Sequence, residues 1–295
     1  MPIDTQELMR QVGKIRVVTK RMVDDQLSGD YHSLFKGHGI EFSEVREYDA
    51  GDDIRSIDWN VTARMGHPYV KRYSEERELT VMFLVDVSGS QSFGSTTKTK
   101  AELSAEITSL LALTAIQNQD KIGLILFSDD IRNTIPPRKG RTAAMRLVRE
   151  VLAAEETRQG TDITKAIQYL NRVQKRKCVV FLISDFMDES YEQDLRVMAR
   201  KHDVICCNVN DQREEEIPAV GLIEVEDPET GDIVLLDTNS SSTRRRIAKE
   251  ADGHKHKLTE LFRRHNIDCI HVDTSRPYLD DIRKLFEKRQ KRKRR

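Results

Sequence analysis

The sequence lacks the features that mark membrane-spanning and exported proteins. No apolar run approaches the ~20 residues that a helix needs to cross a bilayer. Residues 1–7 contain neither the basic region nor the apolar region of a signal peptide. The four cysteines form no Cys-x-x-Cys pair, which favours buried free thiols over a disulfide framework or a zinc site. We therefore expect a cytoplasmic protein.

Motifs of nucleotide binding and of serine nucleophiles are also missing. Neither a GxxxxGKS/T loop nor a GxGxxG turn occurs, so nothing predicts binding of nucleoside triphosphates or dinucleotides. No GxSxG elbow is present either. Of the eight histidines only His254 and His256 are clustered, and residues two apart on a helix point to different sides. We assign no metal-binding role to the histidines.

The composition is that of a globular protein with an uneven distribution of charge. The chain has 295 residues, of which 38% are hydrophobic and 33% are charged, and its formal net charge is zero. Seven of the last eight residues, 288–295, are lysine or arginine. Such a run is typical of a disordered, solvated tail. Contact with nucleic acid or an anionic membrane is the alternative, but no aromatic side chains interleave to stack on bases.

Apolar runs alternate with helical patterns from about residue 79 onward, and we interpret this region, 79–275, as one domain. The predicted strands are 79–86, 121–128, 131–135, 177–184, 203–209 and 267–272, with a hairpin formed by 220–225 and 233–237. Pro136 and Pro137 are expected to end the strand at 131–135. The predicted helices are 99–117, 143–154, 163–173, 192–201, 242–264 and 279–286.

Continuous apolar strands that alternate with helices predict a parallel sheet covered on both faces. The expected fold class is therefore α/β, with a doubly wound, mostly parallel sheet. Residues 1–34 are interpreted as an N-terminal helical extension, and 276–295 as a C-terminal helix and basic tail. Residues 35–78 are interpreted as a charged, irregular or β-rich lobe. Trp59, the only tryptophan, is expected to form the core of that lobe; the alternative is an apolar anchor on a docking surface.

The first buried strand ends in Asp86-x-Ser88-x-Ser90. This pattern places one carboxylate and two hydroxyls at the carboxyl edge of the sheet, where open α/β sheets bind their ligands. Hard oxygen donors suit Mg²⁺ or Mn²⁺ rather than a soft metal. The alternative is that both serines only cap the turn or helix that follows.

Two further oxygen donors are expected at the same edge of the sheet. Thr161 follows Gly160 at a turn into a helix, and Asp185 directly follows the third buried strand. The five side chains of Asp86, Ser88, Ser90, Thr161 and Asp185 would supply some metal ligands directly and others through water, which suits Mg²⁺. A coordination position left open to solvent would accept a carboxylate from a partner protein.

This pattern resembles the metal-ion-dependent adhesion site of von Willebrand factor A domains. The resemblance assigns Asp86, Ser88 and Ser90 to the first metal-binding loop, Thr161 to the second and Asp185 to the third. Segments 39–48, 51–59 and 72–78 are similar to a bacterial branch of unknown-function proteins often encoded beside MoxR-type AAA+ ATPases. The resemblance covers about residues 35–275. It implies an adaptor or chaperone-like partner of such an ATPase, acting on an unknown client protein.

The favoured interpretation is a non-catalytic, metal-dependent protein-binding module, not an enzyme. One alternative is a Mg²⁺-dependent phosphohydrolase that uses Asp86 as its nucleophile. Phosphatases of the haloacid-dehalogenase type place a second aspartate two residues later, but here that residue is Ser88, a poor proton shuttle. The other alternative is a structural adaptor whose metal site is vestigial.

Overall fold

The computed structural model describes residues 31, 41–74, 78–154, 160–188, 190–226 and 231–293. Contacts divide the chain into two units. The smaller unit is Phe35–Leu79, and the larger unit contains Thr80–Arg295 together with Tyr31. Apart from Tyr31, the predicted N-terminal helical extension lies outside the described residues. Within the described part of the chain, no helix is both long and apolar enough to span a membrane.

The smaller unit contains a two-stranded antiparallel sheet and one short helix. Strand β1 (Glu41–Glu47) pairs with β2 (Tyr69–Ser74), and helix α1 (Trp59–Met65) lies between them in sequence. The Asp58 carboxylate accepts the first free N–H groups of α1, and Gly66 ends the helix in a left-handed conformation. The β-rich character predicted for this segment is therefore confirmed.

The prediction that Trp59 forms the core of this unit is wrong. Trp59 is 66% exposed, whereas Val70 on the second strand is buried. Asp58 fixes Trp59 as the first residue of α1, where the indole lies in solvent. The charged residues pair locally, as in the salt bridge of 2.6 Å between Arg46 and Asp52.

The larger unit is built on a six-stranded sheet with the order β10-β7-β6-β3-β4-β5. Neighbouring strands are parallel except for β5, which is antiparallel to β4. The predicted doubly wound, mostly parallel architecture is confirmed. A separate hairpin is formed by β8 and β9. The strands are β3 (Thr80–Asp86), β4 (Lys121–Phe127), β5 (Ile131–Arg138), β6 (Val179–Ser184), β7 (Asp203–Asn210), β8 (Leu222–Glu226), β9 (Ile233–Asp237) and β10 (Asp268–Asp273).

The edge strand β5 is longer than predicted, because Pro136 and Pro137 do not end it. The strand continues to Arg138, which pairs with Ile122 after a shift in register. An edge strand has a neighbour on one side only, so a proline that lacks an N–H donor is tolerated there.

The described part of this unit contains the six predicted helices and one short α-helix that is not predicted, α6. They are α2 (Lys100–Gln117), α3 (Arg141–Leu152), α4 (Ile163–Val173), α5 (Glu192–Lys201), α6 (Gln212–Glu215), α7 (Ser241–Arg264) and α8 (Leu279–Lys293). Helix α2 is buried over much of its surface, including its polar residues. The hydroxyls of Thr108, Ser109 and Thr114 each donate to the backbone carbonyl four residues earlier, which satisfies them inside the core.

The basic C-terminal run is helical as far as Lys293, contrary to the predicted solvated tail. The guanidinium of Arg289 contacts Asp203 at 2.7 Å and Asp268 at 2.7 Å. Arg292 contacts Asp268 at 3.0 Å. Both acidic residues begin strands of the sheet, so they hold the last turns of α8 against the amino edge of the sheet.

The turn between β3 and α2 is closed by a glycine with no room for a side chain. A Cβ atom on Gly94 would lie 2.4 Å from the carbonyl oxygen of Lys98 and 2.6 Å from the Cα of Thr99. Thr99 caps α2, with Glu102 reaching back in a capping box. The position of α2 at the edge of the sheet therefore depends on this close approach.

The cysteines are free thiols, as predicted. Cys178, Cys206 and Cys207 are buried, and Cys269 is partly buried. Beside Cys178 lies His202, a buried histidine whose Nδ1 accepts the Cys178 backbone N–H at 3.3 Å. Burial, and then the charge of Lys201, lower the pKa of His202 to about 4.

Gly94→Ala should lower the free energy of unfolding by about 1–3 kcal/mol, because the added methyl group must displace backbone atoms. The matched control is Gly253→Ala in α7, where the new Cβ meets nothing within 4 Å. That change should stabilise the protein by about 0.5–1 kcal/mol, because alanine favours a helix. Urea unfolding measures both, and equal effects of the two changes would contradict the prediction.

Stability should also fall in acid because of His202. The unfolded chain takes up a proton near pH 6.5 while the folded state remains neutral down to about pH 4. We expect this to remove about 1–2 kcal/mol of unfolding free energy between pH 6.5 and 5. His202→Asn keeps a hydrogen-bond acceptor for the backbone N–H of Cys178. In this variant the free energy of unfolding, measured by urea titration, should depend less steeply on pH. The same slope in both proteins would refute this role of His202.

Candidate metal centre

Asp86 is the last residue of β3, at the centre of the carboxyl edge of the sheet, and is 1% exposed. Its Oδ1 accepts the backbone N–H of Ser88 at 2.9 Å. Its Oδ2 accepts the hydroxyl of Ser184, the last residue of the neighbouring strand β6, at 2.6 Å. Ser184 in turn accepts the N–H of Phe186 at 3.0 Å. The Asp86 carboxylate is thus fixed by two adjacent strands.

The electrostatic environment of Asp86 opposes its negative charge. Burial is the largest cause, followed by the charge of Asp185, and together they raise the pKa of Asp86 to about 7. The hydrogen bonds from Ser184 and Ser88 act in the opposite direction but do not outweigh burial. A positive charge placed beside this carboxylate would therefore be strongly favoured.

Ser88, Ser90 and Asp185 form a continuous polar chain beside Asp86. The hydroxyl of Ser90 donates to Asp185 Oδ2 at 2.8 Å, and the two serine oxygens lie 3.2 Å apart. The structure therefore brings together four of the five residues predicted from the sequence.

Thr161 is placed at the same edge by the backbone of its own loop. Its neighbour Asp162 donates an N–H to the carbonyl of Ser128 at 2.8 Å, and Ser128 follows β4. Strand β4 pairs directly with β3, with Phe127 opposite Asp86. The Asp162 carboxylate caps α4 by accepting the N–H of Lys165.

Lys100 is a member of this site that the sequence pattern does not predict. Its side chain is 1% exposed, and its ammonium lies 2.9 Å from Asp185 Oδ2 and 2.6 Å from Glu214 Oε1. Burial opposes the charge, but the charges of Asp185 and Glu214 outweigh it and raise the pKa of Lys100. Lysine in the first turn of a helix faces the positive end of the helix dipole, and that unfavourable position is the one signal in the sequence.

Glu214 is held in position by the backbone of Asp211, a residue whose own carboxylate is buried. It lies on α6, where its Oε2 accepts the N–H of Asp211 at 3.1 Å. Asp211 is fully buried and accepts hydrogen bonds from Ser95 and Thr274. The loop after β3 and the loop after β7 are therefore tied together beneath the Lys100 ammonium.

The donor set fits a hard divalent cation. Two carboxylates and two hydroxyls meet at one point, and none of the four is a nitrogen or sulfur ligand. Among the described residues, no three or more His, Cys, Asp or Glu side chains are grouped so as to hold a metal ion. The fit to a divalent cation therefore depends on the hydroxyls of Ser88 and Ser90, because serine is not one of these four residue types.

Relatives of the chain occur in mycobacteria. The Mycobacterium bovis protein described as uncharacterized protein Mb1516 is 28% identical over 292 residues, which cover 98% of this chain and 92% of the relative. The Mycobacterium tuberculosis protein Rv1480, also described as uncharacterized, matches to the same extent. A shorter Mycobacterium avium protein, MAV169, is 27% identical over 160 residues, or 53% of this chain and 94% of the relative.

Several solved structures are similar to part of the chain. BatB from Bacteroides thetaiotaomicron is 19% identical and covers 72% of this chain and 99% of its own, with a TM-score of 0.46. The VWA domain of SpRpn10 is 12% identical and covers 70% of this chain and 95% of its own, with a TM-score of 0.39.

The family relationship follows from a direct match of the sequence. The model of the family described as "Protein of unknown function DUF58" matches residues 44–257. The match begins in the smaller unit and ends in α7, so it includes the strands that carry Asp86 and Asp185. The chain therefore belongs to DUF58, a family of proteins of unknown function.

Proposed function

We propose that the chain is a non-catalytic protein-binding module that depends on a divalent cation, Mg²⁺ or Mn²⁺. Asp86, Ser88, Ser90, Thr161 and Asp185 would hold the ion, which would supply a coordination position for a carboxylate of a partner protein. The observation that carries the proposal is the contact between Ser90 and Asp185 at 2.8 Å, since it joins two loops that lie far apart in the sequence.

The charge of the site supports this proposal. With all groups ionised, the cluster contains the carboxylates of Asp86, Asp185 and Glu214 and the ammonium of Lys100, which contacts the last two. The cluster then has an excess of two negative charges. A divalent cation would neutralise this excess and relieve the repulsion between Asp86 and Asp185.

The geometry of Asp86 favours binding over catalysis. A nucleophilic aspartate needs an oxygen that can reach the substrate. Both oxygens of Asp86 already accept hydrogen bonds, from the Ser88 backbone and the Ser184 hydroxyl, and the residue is buried. Ser88 occupies the position where a phosphohydrolase of the type considered above would place its general acid.

The partner that we propose is a MoxR-type AAA+ ATPase, with this chain as its cytoplasmic adaptor or chaperone-like component. This part of the proposal rests on the sequence resemblance of segments 39–48, 51–59 and 72–78. Trp59, exposed on the smaller unit, is available as an apolar anchor for such a partner. The ATPase would supply the carboxylate for the metal.

Asp86→Ala and Asp86→Asn should both abolish saturable binding of Mg²⁺ and Mn²⁺ in isothermal titration, because each removes a carboxylate from the donor set. Asp86→Asn preserves the shape of the side chain, and circular dichroism would verify the fold of both variants. Asp252→Ala, which removes an exposed carboxylate on α7, should bind the ions like the wild type. Retained binding in both Asp86 variants would rule out this site.

Binding to the AAA+ ATPase should require the ion. In a pull-down with the full chain, we expect capture in Mg²⁺, loss in EDTA, and loss for Asp86→Ala in either buffer. Equal capture in all conditions would favour the structural adaptor with a vestigial metal site. Turnover of a generic phosphate ester that is lost in Asp86→Ala would favour the phosphohydrolase.

A further inference from the structure

Lys100 enters the candidate metal centre from the start of α2. Its backbone N–H donates to the carbonyl of Phe93 at 2.9 Å, and Thr99 before it caps the helix. This places the ammonium inside the cluster rather than in solvent, with the side chain 1% exposed. Lysine is almost never buried to this degree unless its charge is paired.

The ammonium and a proposed metal ligand share one atom. Asp185 Oδ2 accepts both the Lys100 ammonium at 2.9 Å and the Ser90 hydroxyl at 2.8 Å. The other oxygen, Oδ1, has a longer contact of 3.5 Å with the N–H of Met187. A divalent cation that draws on Asp185 and Ser90 together would therefore meet the charge of Lys100 at the same carboxylate.

We propose that Lys100 is an internal cation that competes with the divalent ion for Asp185 and so sets the metal affinity of the site. The inference rests on the proposed function, because it assumes that the ion is bound by the same residues. Without the divalent ion, Lys100 neutralises Asp185 and keeps the cluster stable. Binding of the divalent ion weakens that contact, so the ion must overcome it.

Glu214 allows Asp185 to exchange its contact with Lys100 for a contact with the divalent ion. Its carboxylate holds the same ammonium at 2.6 Å, and its side chain is 38% exposed. When Asp185 binds the divalent ion, Lys100 retains Glu214 as a partner and is not left as an unpaired buried charge, which would be strongly destabilising. Glu214 therefore lowers the cost of metal binding, while Lys100 raises it.

Stability alone is a weak reason for this ion pair. Replacing a buried ion pair with apolar side chains of similar volume is often neutral or stabilising. Lys100 also lies where the helix dipole disfavours a positive charge. Its contacts with Asp185 and Glu214 are better explained by control of the charge at the candidate metal centre.

The test is isothermal titration of Mg²⁺ and Mn²⁺ into the full chain as wild type, Lys100→Met and Glu214→Gln. Lys100→Met removes the competing charge and should bind the ions at least tenfold more tightly. Glu214→Gln leaves Lys100 with Asp185 as its one charged partner and should bind them severalfold more weakly. Each variant removes one charge from the same ion pair, yet the expected effects have opposite signs. The control is Lys98→Met, which removes a half-exposed lysine paired with Glu106 and should not change the affinity.

The outcomes separate the two proposals. If the wild type binds the ions and Lys100→Met binds them equally or more weakly, the competition by Lys100 is refuted and the proposed function remains. If only Lys100→Met binds, Lys100 is confirmed as the resident cation and the metal-dependent function of the native chain is refuted. Binding by none of the proteins refutes both. If Lys100→Met does not fold, the Glu214→Gln variant provides the test. Metal binding by Glu214→Gln that is as tight as in the wild type, or tighter, would contradict the inference.

Discussion

The burial of two like-charged carboxylates at one edge of a sheet is the constraint on which this structure depends. Asp86 and Asp185 follow neighbouring strands, and both are almost completely buried. Their mutual repulsion and their loss of water must be offset locally, because a buried charge without a partner costs more than most single interactions contribute. The hydroxyl of Ser184 offsets this cost at Asp86, and the hydroxyl of Ser90 and the ammonium of Lys100 offset it at Asp185.

The topology of the sheet supplies these groups from separate parts of the chain. Strand β3 lies between β4 and β6, so the loops that follow three adjacent strands meet at one point. Helix α2 returns from the first of these loops and brings Lys100 back to the edge, and the loop after β7 adds Glu214. The site is thus a product of strand order rather than of any one segment.

The sequence predicts those features that depend on local patterns. Apolar runs predict the strands, and residues at strand ends predict the positions of Asp86 and Asp185, because parallel strands present their carboxyl ends at one edge. Lys100 escapes such prediction, since its partners Asp185 and Glu214 are 85 and 114 positions away. The extension of the C-terminal helix through 287–293 is not predicted for the same reason, because Arg289 is held by Asp203, 86 positions earlier.

The segment after Asp185 has a further consequence. Phe186 adopts a left-handed backbone conformation, with φ of 59°, and its ring packs against Tyr191 and Phe262 at centroid distances of 5.9 and 5.3 Å. A non-glycine residue in this conformation is held there by its surroundings. The main chain next to Asp185 is therefore held in one conformation and does not act as a hinge. Adjustment to an incoming group is therefore expected from the side chains of Lys100 and Glu214 rather than from the backbone at Phe186.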